Sequence, residues 1–294
     1  MMNTLDADIV ALLDKTRALV ERDYKALVVY NEGSNFSVGA NLGVALFAAN
    51  IAAWSDIQNL VSSGQRAYAA LKYAPFPVVS APAGMALGGG CEILLHSDAV
   101  QAHAETYPGL VEIGVGLIPG WGGCKEMLNR WKTLGRLPRG PMPTVSKVFE
   151  LISTATVAKS AAEAKELLFL KPSDGVTMNR DRLLFDAKAK ALALVENYAP
   201  PEKPSYQLAG AAGRTALNMA ARGFFNLGKA TKYDLVVSDV LAEVLTGGDA
   251  DVTEVLTEEQ VFELESKGFL KLLRHPDTIA RIEHMVETGK PLRN

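Results

Sequence analysis

The spacing of apolar positions changes several times along the chain, and each change marks an element. Leu5, Ile9, Leu12, Leu13, Thr16, Leu19 and Val20 recur at helical spacing, which predicts an amphipathic helix over residues 6–22. KALVVY at 25–30 predicts a short buried strand, and residues 31–37 a polar turn. FSVGANL follows at 36–42, where Gly39 permits an unusual backbone angle and the close approach of another group. Residues 42–50 and 54–72 predict helices, the second with Trp54, Ile57, Leu60, Val61, Tyr68 and Leu71 on its apolar stripe. Pro75 and Pro77 end that helix and set up a strand over 78–81. A glycine-dense turn at 84–90 then opens a helix that runs to residue 97, followed by a strand over 99–103 and a turn over 107–110.

The second half reads differently. A helix is predicted over 120–131, then a proline- and glycine-rich break at 135–143, either a domain seam or a surface loop, then a helix over 144–154. Ser160 and Glu163 form a capping-box pattern at the start of a short helix, residues 171–175 read as a turn, and 179–196 as a longer helix. Pro200, Pro201 and Pro204 make a stiff linker, and beyond it the chain reads as helical. Thr257 and Gln260 suggest a second capping box, and Gly289 a C-terminal helix stop. The pattern predicts an α/β class: an α/β core over 1–135, a helical extension closing it over 136–199, and a helical region over 200–294.

The net charge of −3 over 294 residues, without a sustained Lys/Arg cluster, argues against a nucleic-acid partner. No strand–GxGxxG–helix unit and no zinc-type cysteine spacing is present. Cys91 and Cys124, both in glycine-rich segments, make no disulfide framework, so a reducing, cytoplasmic setting is expected. No apolar run reaches the roughly 18 residues of a membrane span. His96, His103, His275 and His284 show no ligand spacing, and no metal site is expected.

The chemistry concentrates in residues 81–123. Glu92 and Glu112 lie twenty residues apart, each inside an apolar run beside flexible backbone, where a carboxylate is costly to bury. Such groups are candidates for general acid–base work, although either could cap a turn or pair with a buried arginine. An enzyme that stabilises an enolate or a polarised thioester needs two backbone N–H groups converging on one oxygen, preferably at a helix N-terminus. Gly89, in the triple glycine before a helix, and Ala40, after Gly39, are the candidate donors. A triple glycine can equally serve a tight turn or a helix contact. Trp121 fits an acyl pocket and a core position equally well.

FSVGANL, PVVSAPAGMALGGGCEILLHSDAV and GLVEIGVGLIPGWGG, in this order and spacing, resemble the crotonase, or enoyl-CoA hydratase/isomerase, superfamily. The resemblance implies a crotonase-like spiral of ββα units with helical C-terminal elements involved in subunit packing, usually in trimers or hexamers. It implies an acyl-CoA substrate and no resident cofactor. The N–H groups of Ala40 and Gly89 would form the oxyanion hole, and Glu92 and Glu112 match the two catalytic glutamates of hydratases. CoA would run past the backbone of Phe36, Ser37 and Val38. Asn41 and Val111 depart from the commonest pattern, replacing an aspartate and a proline. They fit a narrower set, the hydratase portions of bifunctional 3-hydroxyacyl-CoA dehydrogenase/enoyl-CoA hydratases, as do residues 40–43, 105–120, 173–184 and 280–294. Residues 2–10 resemble the asparagine-containing turn that follows the first strands of the crotonase fold. The chain is therefore expected to be an N-terminally truncated, C-terminal piece, without the dehydrogenase domain and not itself binding NAD. The implied reaction is hydration of trans-2-enoyl-CoA in fatty-acid β-oxidation; the alternatives are an enoyl-CoA isomerase or other crotonase-type reaction, or a weakly active acyl-CoA-binding or assembly subunit.

Overall fold

A computed structural model describes residues 3–134 and 137–294. In chain order the elements are α1 (Ala7–Asp23), β1 (Leu27–Tyr30), α2 (Leu42–Asn50), α3 (Trp54–Lys72), β2 (Val78–Ala81), β3 (Gly84–Leu87), α4 (Gly89–His96), β4 (Ala99–His103) and β5 (Thr106–Gly109). A 3₁₀ turn (Glu112–Val115) precedes α5 (Gly123–Thr133), α6 (Pro141–Ser153), α7 (Ala161–Glu166) and β6 (Gly175–Thr177). After a second 3₁₀ turn (Arg180–Arg182) come α8 (Leu183–Ala193), β7 (Tyr206–Gln207), α9 (Gly210–Asn226), α10 (Lys232–Thr246), β8 (Val255–Leu256), α11 (Glu258–Leu273) and α12 (Pro276–Thr288).

These elements form two compact units interleaved in sequence. The first takes the chain up to Asn41 with Ser62–Gly109 and Val157–Glu202; the second takes Leu42–Val61, Leu110–Thr156 and Lys203–Asn294. This differs from the sequential division at 135 and 199, and strand pairing is the reason. Strand β6 returns to pair with β4, which draws the stretch expected as a helical extension into the first unit's sheet. The break expected at 135–143 begins on Gly135 and Arg136, which lie outside the described residues; from Pro141 onward the chain is already helical.

In the first unit β2 and β3, and then β4 and β5, give one strand to each of two sheets. Strands β1, β2, β4 and β6 line up in that order, all parallel. Strands β3 and β5 pair in parallel, and Ser37 bridges to Ala86 on the other side of β3. The repeat strand–strand–helix, clearest in β2–β3–α4, is thus a parallel spiral. Period-2 alternation decides what covers the main sheet. Val79 and Ala81 of β2 face Leu183, Ala187 and Ala191 of α8. Val78 packs with Val20 of α1, Leu71 of α3, Ala74 and Phe76. Strand β1 is half-buried rather than buried, because it forms the edge.

The second unit is mainly helical. Helix α10 packs against α5, α6, α9 and α11, and its core residues Val237, Leu241 and Leu245 are fully enclosed. Helix α11 carries the expected capping box, with both Thr257 and Gln260 bonds made. Helix α12 ends at Gly289 in the left-handed conformation (φ 69°), as the sequence predicts. Ser160, in the first unit, caps α7 through the Glu163 N–H, but the Glu163 carboxylate accepts from Lys159 N–H rather than completing a box.

Candidate active site

The site in the first unit is built around the start of α4. Residues 36–40 run beside β3: Phe36 N–H donates to Ala83 O (2.9 Å), Ser37 N–H to Met85 O (3.1 Å), and Leu87 N–H to Ser37 O (2.8 Å). The segment therefore rests on the backbone that leads into the triple glycine. A Cβ at Gly90 would lie 2.8 Å from both Ser37 Cβ and Ser37 O, so only a residue without one lets the two chains approach this closely. Phe36 and Ser37 are buried and Val38 half-buried, and the Phe36 and Ser37 amides are engaged by β3 rather than open to solvent.

Gly39 has φ +89°, and its side-chain direction points at the same backbone: a Cβ there would lie 3.0 Å from Leu87 O and 3.3 Å from Gly89 N. The turn that carries Ala40 is thus laid directly over the Gly89 amide. On its other side, Leu5 N–H donates to Gly39 O (2.8 Å) and Asn41 N–H to Leu5 O (3.0 Å). In such a parallel bridge the flanking residues supply the bonds, and the Ala40 N–H and C=O face away from Leu5. Gly89 is the first residue of α4, where a helix leaves its leading N–H groups without an intrahelical acceptor. The substitution Gly39→Ala combines a left-handed backbone angle with contact against Leu87 O. It is expected to cost about 1–3 kcal/mol of stability, read from urea denaturation; an unchanged midpoint would show that the turn does not press on the triple glycine.

Glu92 follows on the first turn of α4, only 2% exposed, its N–H bonded to Gly88 O (2.9 Å). The helix N-terminus favours its ionised form. Two aromatic side chains fix this helix. The Tyr68 hydroxyl, fully buried, donates to Gly89 O (3.0 Å) and so orients the peptide behind the Gly89 amide. His96 donates through Nδ1 to Glu92 O (2.7 Å), and its ring lies 5.6 Å from that of Tyr68. Sequence reasoning places Tyr68 on an apolar stripe, and nothing in its spacing reveals the hydroxyl's target. Cys91 is a fully buried small residue.

The structure thus brings Ala40, Gly89, Glu92 and residues 36–38 into one unit. Glu112 and Trp121 belong to the second. Glu112 begins the 3₁₀ turn, half-buried, with Oε2 shielded from solvent, and its carbonyl accepts Leu117 N–H (3.0 Å). Trp121 is buried beyond Gly120, which packs on the Phe269 ring. Among the described residues no helix is long and apolar enough to cross a membrane, and no group of three or more His, Cys, Asp or Glu could hold a metal ion.

Residues 1–136 match the family model described as enoyl-CoA hydratase/isomerase. Over 295 residues the chain is 39% identical to a protein of Bacillus subtilis (strain 168) described as "Probable 3-hydroxyacyl-CoA dehydrogenase"; the match covers 99% of this chain and 37% of that protein. The chain therefore spans little more than a third of this relative's length. The crystal structure of an enoyl-CoA hydratase from Bacillus halodurans aligns with TM-score 0.64 at 18% identity, covering 96% of this chain and 91% of that one. That of an enoyl-CoA hydratase/isomerase from Mycobacterium paratuberculosis gives TM-score 0.62 at 18% identity, over 96% and 89%. These structures share the parallel spiral and the helical C-terminal region. The first 136 residues thus match the enoyl-CoA hydratase/isomerase family, and the chain has a crotonase-like fold. Its relation to the dehydrogenase-named protein agrees with the narrower set that its sequence resembles.

Proposed function

We propose that this chain hydrates trans-2-enoyl-CoA to 3-hydroxyacyl-CoA, as the hydratase part of a larger fatty-acid β-oxidation enzyme. The observation that carries the reading is the Gly39 turn packed over the start of α4, so closely that a Cβ at Gly39 would lie 3.3 Å from Gly89 N, with Glu92 on the same helix turn. Two main-chain donors at a helix N-terminus suit an oxygen that gains negative charge during reaction. In this reading Ala40 and Gly89 hold the thioester oxygen. Glu92 takes a proton from water as its oxygen bonds to Cβ. The double-bond electrons move to Cα and the thioester, and Glu112 delivers a proton to Cα, so that one water is added overall.

CoA would pass residues 36–38, and Trp121 would line the acyl pocket. The product is a 3-hydroxyacyl thioester, the substrate class of the dehydrogenase named for the Bacillus subtilis relative, which supports a dehydrogenase domain as covalent or assembled partner. A homo-trimer or hexamer is the expected assembly. Mixing the protein with crotonyl-CoA and longer enoyl-CoAs tests the reading. Loss of the conjugated thioester absorbance, with gain of the mass of one water, is the expected result. Binding of enoyl-CoA without any such loss would overturn it.

A further inference from the structure

The turn that carries Glu112 is latched from the C-terminal end of the chain, within the second unit. Thr278 of α12, fully buried, donates through Oγ1 to Gly116 O (2.8 Å). With its proton spent there, Thr278 accepts from the Tyr233 hydroxyl of α10 (2.6 Å). Burial pushes the Tyr233 phenol up, so it stays a donor. Gly116, in the left-handed conformation at the end of the turn, has no room for a side chain: a Cβ would meet Thr278 Oγ1 at 2.8 Å and Tyr233 Cε1 at 3.1 Å.

Arg281, one helical turn beyond Thr278 and 2% exposed, reaches the same turn. One of its terminal nitrogens lies 3.4 Å from Ile113 O, the carbonyl next to Glu112. Its other nitrogens bond Asp234 (2.8 Å), Thr231 Oγ1 (3.1 Å) and Asn294 Oδ1 (2.7 Å), and the guanidinium lies over the Tyr233 ring. Every arm of this fork is thus held in place, and a planar guanidinium has a single orientation that satisfies them together. Helix α12 also packs against the 3₁₀ turn as a whole.

We infer that Thr278 and Arg281 are positioning residues that set the place of the Glu112 carboxylate through Gly116 O and Ile113 O. The inference rests on the hydratase reading for its catalytic consequence, but the latch itself does not. A carboxylate displaced by about 1 Å from its proton-transfer geometry loses up to about a hundredfold in rate. Thr278→Val keeps the shape and removes the donor, whereas Thr278→Ser keeps the donor.

The test has two readouts on the full chain. In hydration of crotonyl-CoA, Thr278→Val is expected to lower kcat about 10- to 100-fold with little change in KM, and Thr278→Ser to restore it. In a Glu112→Gln background, Thr278→Val should lower the rate no further. Independently of activity, amide exchange at Gly116 and Leu117 should quicken at least about tenfold in Thr278→Val, equivalent to one lost hydrogen bond of about 1.4 kcal/mol, with α10 protection unchanged. Arg281→Lys, which keeps the charge and loses the fork, should act in the same direction. A wild-type chain with no hydratase activity sinks the proposed function and leaves exchange to decide the latch. Wild-type exchange at Gly116 and Leu117 in Thr278→Val sinks the latch. Faster exchange with unaltered kcat in an active enzyme sinks the positioning role.

Discussion

Glu92→Gln and Glu112→Gln are each expected to lower the hydration rate by about 10²–10⁴-fold while binding of the enoyl thioester stays close to wild type. General acid–base catalysis contributes rate factors of that size, corresponding to roughly 3–5 kcal/mol of barrier at 1.36 kcal/mol per factor of ten. Glutamine preserves the volume and most hydrogen bonding of glutamate but neither takes a proton from water nor gives one to carbon. At Glu92, nearly enclosed on the first turn of α4, it also removes a charge that the helix N-terminus favours. In the proposed reading, thioester binding depends instead on the main-chain donors of Ala40 and Gly89, which neither substitution alters.

The pair of variants separates two reactions of the superfamily. Hydration needs one group to activate water and another to protonate Cα, so both substitutions must cripple turnover. Double-bond migration can proceed with a single shuttling carboxylate. Full activity in Glu92→Gln with loss in Glu112→Gln would replace hydration by isomerisation. Full activity in both would remove the two carboxylates from the mechanism altogether.

Much of this arrangement was legible in the sequence where the signal was local. The α3 stripe, the Thr257/Gln260 capping box and the Gly289 stop need only neighbouring residues, and each forms as expected. GMAL at β3 and TYPG at β5 do not read as strands, because glycine, proline and alanine are poor strand formers. They become strands only because Ser37, β3 and β5 lie side by side in successive turns of the spiral. The same holds for β6, whose register is fixed by β4 more than seventy residues earlier. In the site, the glycines announced a close approach without saying of what; Ser37 over Gly90 and Gly39 over Gly89 are tertiary facts. Thr278 and Arg281 were silent for a like reason, since their targets are main-chain carbonyls more than 160 residues away.

Glu265→Ala is expected to cost about 3–5 kcal/mol, the penalty for breaking a buried charged partner. Helix α5 begins at Gly123 behind Gly122, a residue with no side chain to cap it. Glu265 of α11, wholly enclosed, does so instead: Oε2 accepts Gly122 N–H and Oε1 accepts Lys125 N–H, both at 2.8 Å. Truncation leaves two buried donors unanswered at the positive end of a helix, together with a void. The nearby Lys125 ammonium pairs with Glu126 and Glu258. Burial opposes its charge, but Glu126 and Glu258 outweigh that and hold it above the usual lysine value. Glu265→Gln keeps the side chain's size and changes its capacity to accept. Its single amide oxygen can serve one N–H, while its NH₂ meets the other donor to donor, and a loss of about 1–3 kcal/mol follows. Urea denaturation followed by far-ultraviolet dichroism should rank wild type above Glu265→Gln above Glu265→Ala. Amide exchange at Gly122 and Lys125 should accelerate in the same order. If Glu265→Ala unfolds at the wild-type midpoint, α5 is capped by something other than this carboxylate, and α11 is not what fixes its start.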